Sequence, residues 1–185
     1  MKFIITYTGE EFTPMDPNIE QIHIEDIAHS LSLLCRANGH IDYFFSVAQH
    51  SINCTTEAKA RGFSMRVQLA CLLHDASESY ISDLTRPVKY YLTEYNEVET
   101  RLQAVIYNKF LGEPLTIEES NIINEIDNDM LAGEFFALMK KRQLLEKRPV
   151  LYSTPSFEYR DQKEIETEFL KTYYGIMHAG IIQGR

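Results

Sequence analysis

Residues 64–78 read Ser64-Met65-Arg66-Val67-Gln68-Leu69-Ala70-Cys71-Leu72-Leu73-His74-Asp75-Ala76-Ser77-Glu78, and the fold is decided here. Ser64 is a good N-cap: its hydroxyl can accept one of the backbone N–H groups that a helix start leaves unpaired. Behind it Val67, Leu69, Ala70, Leu72 and Leu73 crowd almost every face, so this helix is expected to be wholly buried. A buried helix needs other helices around it, and the flanking sequence supplies them. Residues 46–61 open at Ser46 and stop at Gly62. Ile24, Ile27, Leu31 and Leu34 recur at three and four residues and stop near Asn38-Gly39. Downstream, Pro87 interrupts, and a helix runs from there to about Leu111 with Gly112 as its stop. Thr116-Ile117-Glu118-Glu119 has the outline of a capping box opening a long helix to about Lys141. Pro149 and Pro155 flank a loop, and a last helix is expected over about 160–179.

The N-terminus differs. Phe3, Ile5 and Tyr7 alternate, and Thr8-Gly9-Glu10 offers a turn before Glu11-Phe12-Thr13, so a small β-hairpin is expected over about 2–14. With no repeat, low-complexity tract or long linker, 185 residues form one domain. The expected architecture is all-α: a bundle of five to six helices with a small N-terminal β-hairpin.

Composition narrows the function. With 27 Asp+Glu against 18 Lys+Arg the net charge is −9, which argues against duplex nucleic acid as a partner. It leaves small anionic substrates open, because a bound metal ion reverses the local field. No apolar run approaches the roughly 18–20 residues a bilayer crossing needs. The opening stretch turns polar after Tyr7, too soon for a signal-peptide core. Three cysteines (Cys35, Cys54, Cys71) show neither paired nor metal-type spacing, which fits a reducing, cytoplasmic setting.

His74-Asp75 stands directly after an apolar run, where charges are seldom buried unless paired or bound to metal. Glu78 follows at i+4 from His74, one turn along the same face of a continuous helix. Asp83 comes just past the expected helix end. His50 lies on the preceding helix, and Glu125-Ile126-Asp127 puts acids within the apolar stripe of the long helix, with Asp129 as a competing acid. Two imidazoles and two carboxylates on three helices suit one divalent transition ion (Mn, Co, Zn, Ni or Fe) better than Ca or Mg. The alternative is a helix end with a capping histidine and solvated acids.

The order His50, His74-Asp75, Asp127 resembles the H…HD…D signature of HD-domain metal-dependent phosphohydrolases, which are all-helical. His74-Asp75-Ala76-Ser77-Glu78, with Asp83-Leu84 and Pro87-Val88-Lys89-Tyr90 behind it, looks like the branch containing bacterial 5′-deoxynucleotidases, near which phage dATP triphosphohydrolases also fall. Ile24-Glu25-Asp26-Ile27-Ala28-His29 and Arg36-Ala37-Asn38-Gly39-His40 resemble small phage and bacterial HD proteins, and the likeness spans roughly 22–140. The resemblance implies His50, His74, Asp75 and Asp127 as ligands of one divalent ion per subunit, and it favours Asp127 over Asp129. It implies Glu78 and Asp83 as the catalytic groups around the attacking water, and Arg36 and Lys89 as holders of substrate phosphate. It implies hydrolysis of (deoxy)nucleoside 5′-monophosphates or, alternatively, of a dNTP with release of triphosphate, by a homo-oligomer. The nucleotidases carry a Trp beside the Arg, whereas this chain has no Trp.

Other features carry bland readings. His29 reads as a hydrogen-bonded core or supporting group, His40 as a loop residue or phosphate contact, and His23 and His178 as surface groups. Tyr90, Tyr91 and Tyr95 read as helix packing or an oligomer face, and Lys140-Lys141-Arg142 as cations favoured at a helix C-terminus. Lys59, Arg61, Arg66 and Arg86 are available for the outer phosphates of a triphosphate, and spacing alone does not show which converge. A non-catalytic, metal-stabilised nucleotide-binding module remains a different class of answer.

Overall fold

The computed structural model describes residues 2–140 and 150–183, with side chains to residue 180. Strands β1 (Ile4–Ile5) and β2 (Glu11–Phe12) pair antiparallel in the register Ile4↔Phe12. The hairpin is where the alternation placed it, but the expected apolar side is not a buried one: Ile5 and Tyr7 are exposed, and Phe12 is the residue that enters the core. The turn is tied down by polar bonds instead, with Thr8 N–H and its hydroxyl donating to the Asp26 carboxylate at 2.7 and 2.9 Å.

Helix α1 (Ile24–Leu33) buries Ile24, Ile27 and Leu31 against the last helix, α8 (Gln162–Gln183). It ends sooner than Asn38-Gly39 suggested. Leu34 is already extended, and the Leu34–Arg36 stretch bonds antiparallel to Phe45–Val47. The intervening turn, Arg36–Gly39, holds Ala37 and Asn38 at φ near +50 (52° and 50°), a left-handed conformation that costs a side chain-bearing residue about 1–2 kcal/mol.

Helix α2 (Val47–Ala60) is the axis of the fold, in contact with α1, α3, α8 and the long helix α7 (Ile117–Leu138). Ser46 caps it by accepting Gln49 N–H, Ser64 caps α3 (Met65–Leu73) through Val67 N–H, and Thr116 and Glu119 complete a capping box on α7. All three caps stand where serine and threonine announced them. Beyond α3 the chain does not continue as one helix. Residues 74–77 wind as tight i→i−3 turns into the single-turn α4 (Glu78–Ile81), so Glu78 opens a new element instead of following His74 along one face. A second single turn, α5 (Arg86–Lys89), starts with Pro87 in its first positions, and α6 (Thr93–Leu111) follows, ended by Gly112 at φ 80°. The helix expected after Pro87 is thus two.

One core joins Ile27, Leu31, Val47, Leu69, Leu72, Leu73, Leu102, Ile106 and Phe169, and a second joins Cys54, Ala70, Cys71, Ile123, Ile126 and Met130. The segment 150–158 is a strap across α2. Gln49 and Asn53 donate to the carbonyl of Ser156 (3.3 and 2.9 Å), and buried Glu57 accepts the N–H groups of Tyr152 and Ser153, both at 2.9 Å. Of the expected basic run, Lys140 closes the described part; Lys141, Arg142 and Pro149 lie outside the described residues.

Candidate metal centre

His50 is fully buried on α2, and α3 and α7 bring their polar groups to it. His50 Nε2 lies 3.2 Å from His74 Nε2, 3.1 Å from Asp127 Oδ1 and 3.8 Å from Asp75 Oδ2. His74 Nε2 lies 3.3 Å from Asp75 Oδ2 and 3.7 Å from Asp127 Oδ1. Donors about 2.1 Å from one ion stand about 3.0 Å apart at right angles and about 3.4 Å apart at the tetrahedral angle, so these spacings fit a common centre.

The tautomers point the same way. His50 Nδ1 is held by Glu134 Oε1 at 2.5 Å, and His74 Nδ1 by the Cys71 carbonyl at 2.7 Å. Each ring hydrogen therefore sits on Nδ1 in the neutral form, and two Nε2 lone pairs face each other across 3.2 Å. Only a proton or a metal ion makes that contact favourable. Burial and Arg36 push the His50 pKa down, but Glu134 and Asp127 outweigh them and hold it above the ordinary value. Burial likewise opposes charge on His74, yet Asp75 and Asp127 carry its pKa well up. Burial raises the acid pKa values too, and the imidazoles overcome it, leaving Asp75 and Asp127 far below the carboxylate range. The cluster favours a positive charge at its centre, which a proton or a metal ion could supply.

His50, Cys54 and His74 form a group that could hold a metal ion, their donor atoms lying within 4.8 Å of one another. Cys54 carried no signal in the sequence beyond its i+4 spacing from His50. Its sulfur is 3.5 Å from His50 Nε2 and 4.0 Å from Nδ1, so it stands beside the ring. A thiolate sharing a tetrahedral ion with Nε2 would lie about 5 Å from Nδ1. In the observed rotamer the carboxylates of Asp75 and Asp127 are the better-directed partners. Burial, with Asp127, also holds the Cys54 thiol protonated.

The other candidate residues divide. Asp129 faces away and pairs with Arg61 at 2.7 Å, so of the two acids Asp127 is the one at the imidazoles. Glu78 is buried; Oε1 accepts from Lys89 at 3.1 Å, and Oε2 has no partner among the described residues. Burial, Asp75 and Asp83 raise its pKa well above the usual value, which also puts Asp83 within electrostatic reach. Lys89 is shared between Glu78 and Glu99 (2.6 Å). Arg36 lies between two acids, its NH1 donating to Asp75 Oδ2 at 3.3 Å and its Nε and NH2 to Glu134 Oε2 at 3.3 and 3.2 Å. Glu134, two turns beyond Asp127, was not singled out in the sequence, where an acid on a long helix reads as solvated. Here it is buried. His29 pairs with Glu166 and stacks on Tyr7, so it supports the surface and not the core. His40, Tyr90 and Tyr91 are exposed.

A cleft of about 620 Å³ opens from His74, Asp75 and Asp127, with Lys89 and Glu99 on its wall. Arg61, Arg66, Arg86 and Lys59 do not line it. Arg61 is paired with Glu57, Glu125 and Asp129; Arg66 holds Glu119 and the carbonyls of Leu111, Glu113 and Pro114; Arg86 holds Asp127 and Asn128 at 2.7 Å. Lys59 lies in a separate groove of about 1100 Å³ between α2, α3 and α8.

The fold and the cluster define a mostly helical protein with a possible metal site, compatible with an HD-type domain. The chain is 37% identical over 134 residues to the uncharacterized protein YfdR of Escherichia coli K12, covering 72% of this chain and 71% of that one. It is 31% identical to the uncharacterized protein RCAP_rcc00048 of Rhodobacter capsulatus, across 93% of this chain and 94% of that one. It belongs to the family that these two proteins represent. No family model matches the chain. No described helix is long and apolar enough to cross a membrane.

Proposed function

We propose that the protein is a divalent-metal-dependent phosphohydrolase that removes phosphate from (deoxy)nucleoside 5′-monophosphates. The observation that carries this reading is the convergence of His50 Nε2, His74 Nε2, Asp75 and Asp127 at 3.1–3.8 Å, at the mouth of a cleft large enough for one nucleotide. These four residues would hold the ion. When bound, it supplies Lewis acidity toward a phosphate oxygen and a water of lowered pKa.

The chain's own groups do the rest. Glu78 does not itself line the cleft but is bonded to Lys89 on its wall, and it offers an Oε2 without a partner among the described residues and a raised pKa, which suits a group that takes a proton from water and passes it to the leaving oxygen. Asp83 helps keep that pKa high. Lys89, its charge secured by Glu78 and Glu99, presents a cation on the cleft wall for the phosphate.

The distribution of cations favours a monophosphate over a triphosphate. Among the described residues Lys89 is the one Lys or Arg lining the cleft, beside the acids Asp75, Glu99 and Asp127. The β- and γ-phosphates of a dNTP would meet those acids away from Arg61 and Arg66, which are paired elsewhere, and from Lys59, which lies in a separate groove, while Arg86 is already bonded to Asp127 and Asn128.

The test is phosphate release by metal-stripped protein resupplied with Mn, Co, Zn or Mg, over a panel of deoxy- and ribonucleoside mono- and triphosphates, with Asp75→Ala as control. Orthophosphate from monophosphates is expected. Inorganic triphosphate from a dNTP would replace this reading by the triphosphohydrolase, and tight metal binding without turnover on any substrate would leave a non-catalytic nucleotide-binding module.

A further inference from the structure

We infer that Arg36 and Glu134 are a positioning pair, which locks the orientation of His50 and Asp75 at the metal cluster, and that Arg36 does not bind substrate phosphate. The inference rests on the metal cluster of the proposed function, and its first readout is metal binding, so it survives or fails independently of any hydrolysis.

The geometry is a closed circuit. Glu134 Oε1 accepts from His50 Nδ1, Glu134 Oε2 accepts Arg36 Nε and NH2, and Arg36 NH1 donates to Asp75 Oδ2, the oxygen that lies 3.8 Å from His50 Nε2. Two of the four converging groups, one from α2 and one from the turn after α3, are thereby fixed relative to each other from behind. Glu134 is 3% exposed and the Arg36 side chain 12%, so neither bond competes with bulk water. A carboxylate on the far nitrogen of a metal-binding imidazole sets its tautomer and makes it a stronger donor, and a hydrogen-bonded ligand carboxylate is likewise held in aim.

The backbone around Arg36 is built for this duty. Arg36 N–H donates to the Phe45 carbonyl at 2.9 Å and Val47 N–H to the Leu34 carbonyl at 3.0 Å, so both sides of the loop are clamped at its base. Ala37 and Asn38, directly after Arg36, are left-handed at φ 52° and 50°, a strained turn that returns the chain toward α2. A phosphate-binding arginine would be expected to line the cleft and aim its planar fork into it, as Lys89 lines it. Three donors of this fork are already spent on Asp75 and Glu134, and Arg36 does not line the cleft.

The experiment is Co²⁺ titration of metal-stripped wild type, Glu134→Gln and Arg36→Lys, read by calorimetry and by the visible spectrum of the bound ion. Each variant is expected to weaken Co²⁺ binding by about 10–100-fold and to alter the spectrum. The double variant should lose little more than the worse single one, because both act through one circuit. Where turnover is measurable, KM for the phosphate ester at saturating metal should stay within about twofold of wild type, a limit far inside the tenfold that 1.4 kcal/mol represents. Unchanged Co²⁺ affinity and spectrum in both variants would overturn the inference, as would an Arg36→Lys variant that raises KM alone. Should the variants fail to fold, ¹⁵N-histidine spectra of Zn-loaded wild type decide the matter. A strongly deshielded Nδ1–H on His50, bonded to Glu134, is expected, and a proton-free Nδ1 would refute the circuit.

Discussion

Gln49, Asn53 and Glu57 run along one stripe of α2, and His50 and Cys54 along the next; all five are buried, yet their polar atoms meet opposite circumstances. On the first stripe donors meet acceptors. Gln49 and Asn53 give their amide hydrogens to strap carbonyls, and Glu57 accepts two strap N–H groups, the Ser153 hydroxyl and Arg61. On the second stripe an acceptor meets acceptors: His50 Nε2 faces His74 Nε2 and two carboxylates. A satisfied stripe is architecture. A stripe whose acceptors face one another is a candidate site, since only a proton or a metal ion makes such contacts favourable and buried polar groups left unpaired cost stability.

The largest expected effect separates the site from its scaffold. Glu78→Ala should lower turnover by about 10²–10⁴-fold while metal content, measured by elemental analysis, stays at the wild-type level. An unchanged rate would remove Glu78 from the reaction.

Breaking the architectural stripe should do the reverse. Glu57→Ala strands two strap N–H groups and part of Arg61, a loss of about 3 kcal/mol and a fall in Tm on the order of 10 °C. The rise in Tm on adding metal should survive in that variant. The same carboxylate predicts acid sensitivity. Burial pushes its pKa up, but bonds from Ser153, Tyr152 and Arg61 bring it below the ordinary value. A depressed folded pKa contributes stability that is fully present above the unfolded value of about 4.3 and lost as pH falls through the folded one. Urea midpoints of wild type should therefore drop below about pH 4.3 more steeply than those of Glu57→Gln.

Chelation should act on the other stripe alone. At a free metal concentration a hundred times its Kd the bound ion adds about 2.7 kcal/mol, so a chelator should lower the wild-type Tm and leave that of His74→Ala unmoved. Equal shifts in both would put the ion elsewhere. The smallest effect is Asn53→Ala, which removes one bond to the Ser156 carbonyl and should cost about 1 kcal/mol in urea unfolding without touching metal affinity.

Much of this was legible before any coordinates. Ser46, Ser64, Thr116 and Gly112 mark helix ends because capping is local chemistry: a hydroxyl or a left-handed glycine acts on backbone groups a few residues away. Helical periodicity around Leu69–Leu73 announced a buried helix for the same reason. Local signals failed where distant partners intervened. Leu34 continued the helical spacing, yet it pairs with the strand-like 45–47 stretch. Phe3, Ile5 and Tyr7 alternated along one side of the hairpin, yet Ile5 and Tyr7 are exposed and Phe12 is the hairpin residue that enters the core.

The candidate site divides in the same way. His50, His74, Asp75 and Asp127 were nameable as a set, because two imidazoles and two carboxylates suit one divalent ion and their order resembles the HD signature. Their partners were not. That Glu134 is buried against His50, that Arg36 is held by two acids, that Asp129 belongs to Arg61 and that Cys54 stands beside the imidazole depend on distances across 4 to 98 residues of chain. A sequence records which side chains exist and the local forces on each. Which charges neutralise one another is a matter of separation in a low-dielectric interior, and the packing of α2 against α3 and α7, with the Arg36–Gly39 turn clamped beside them, sets that separation.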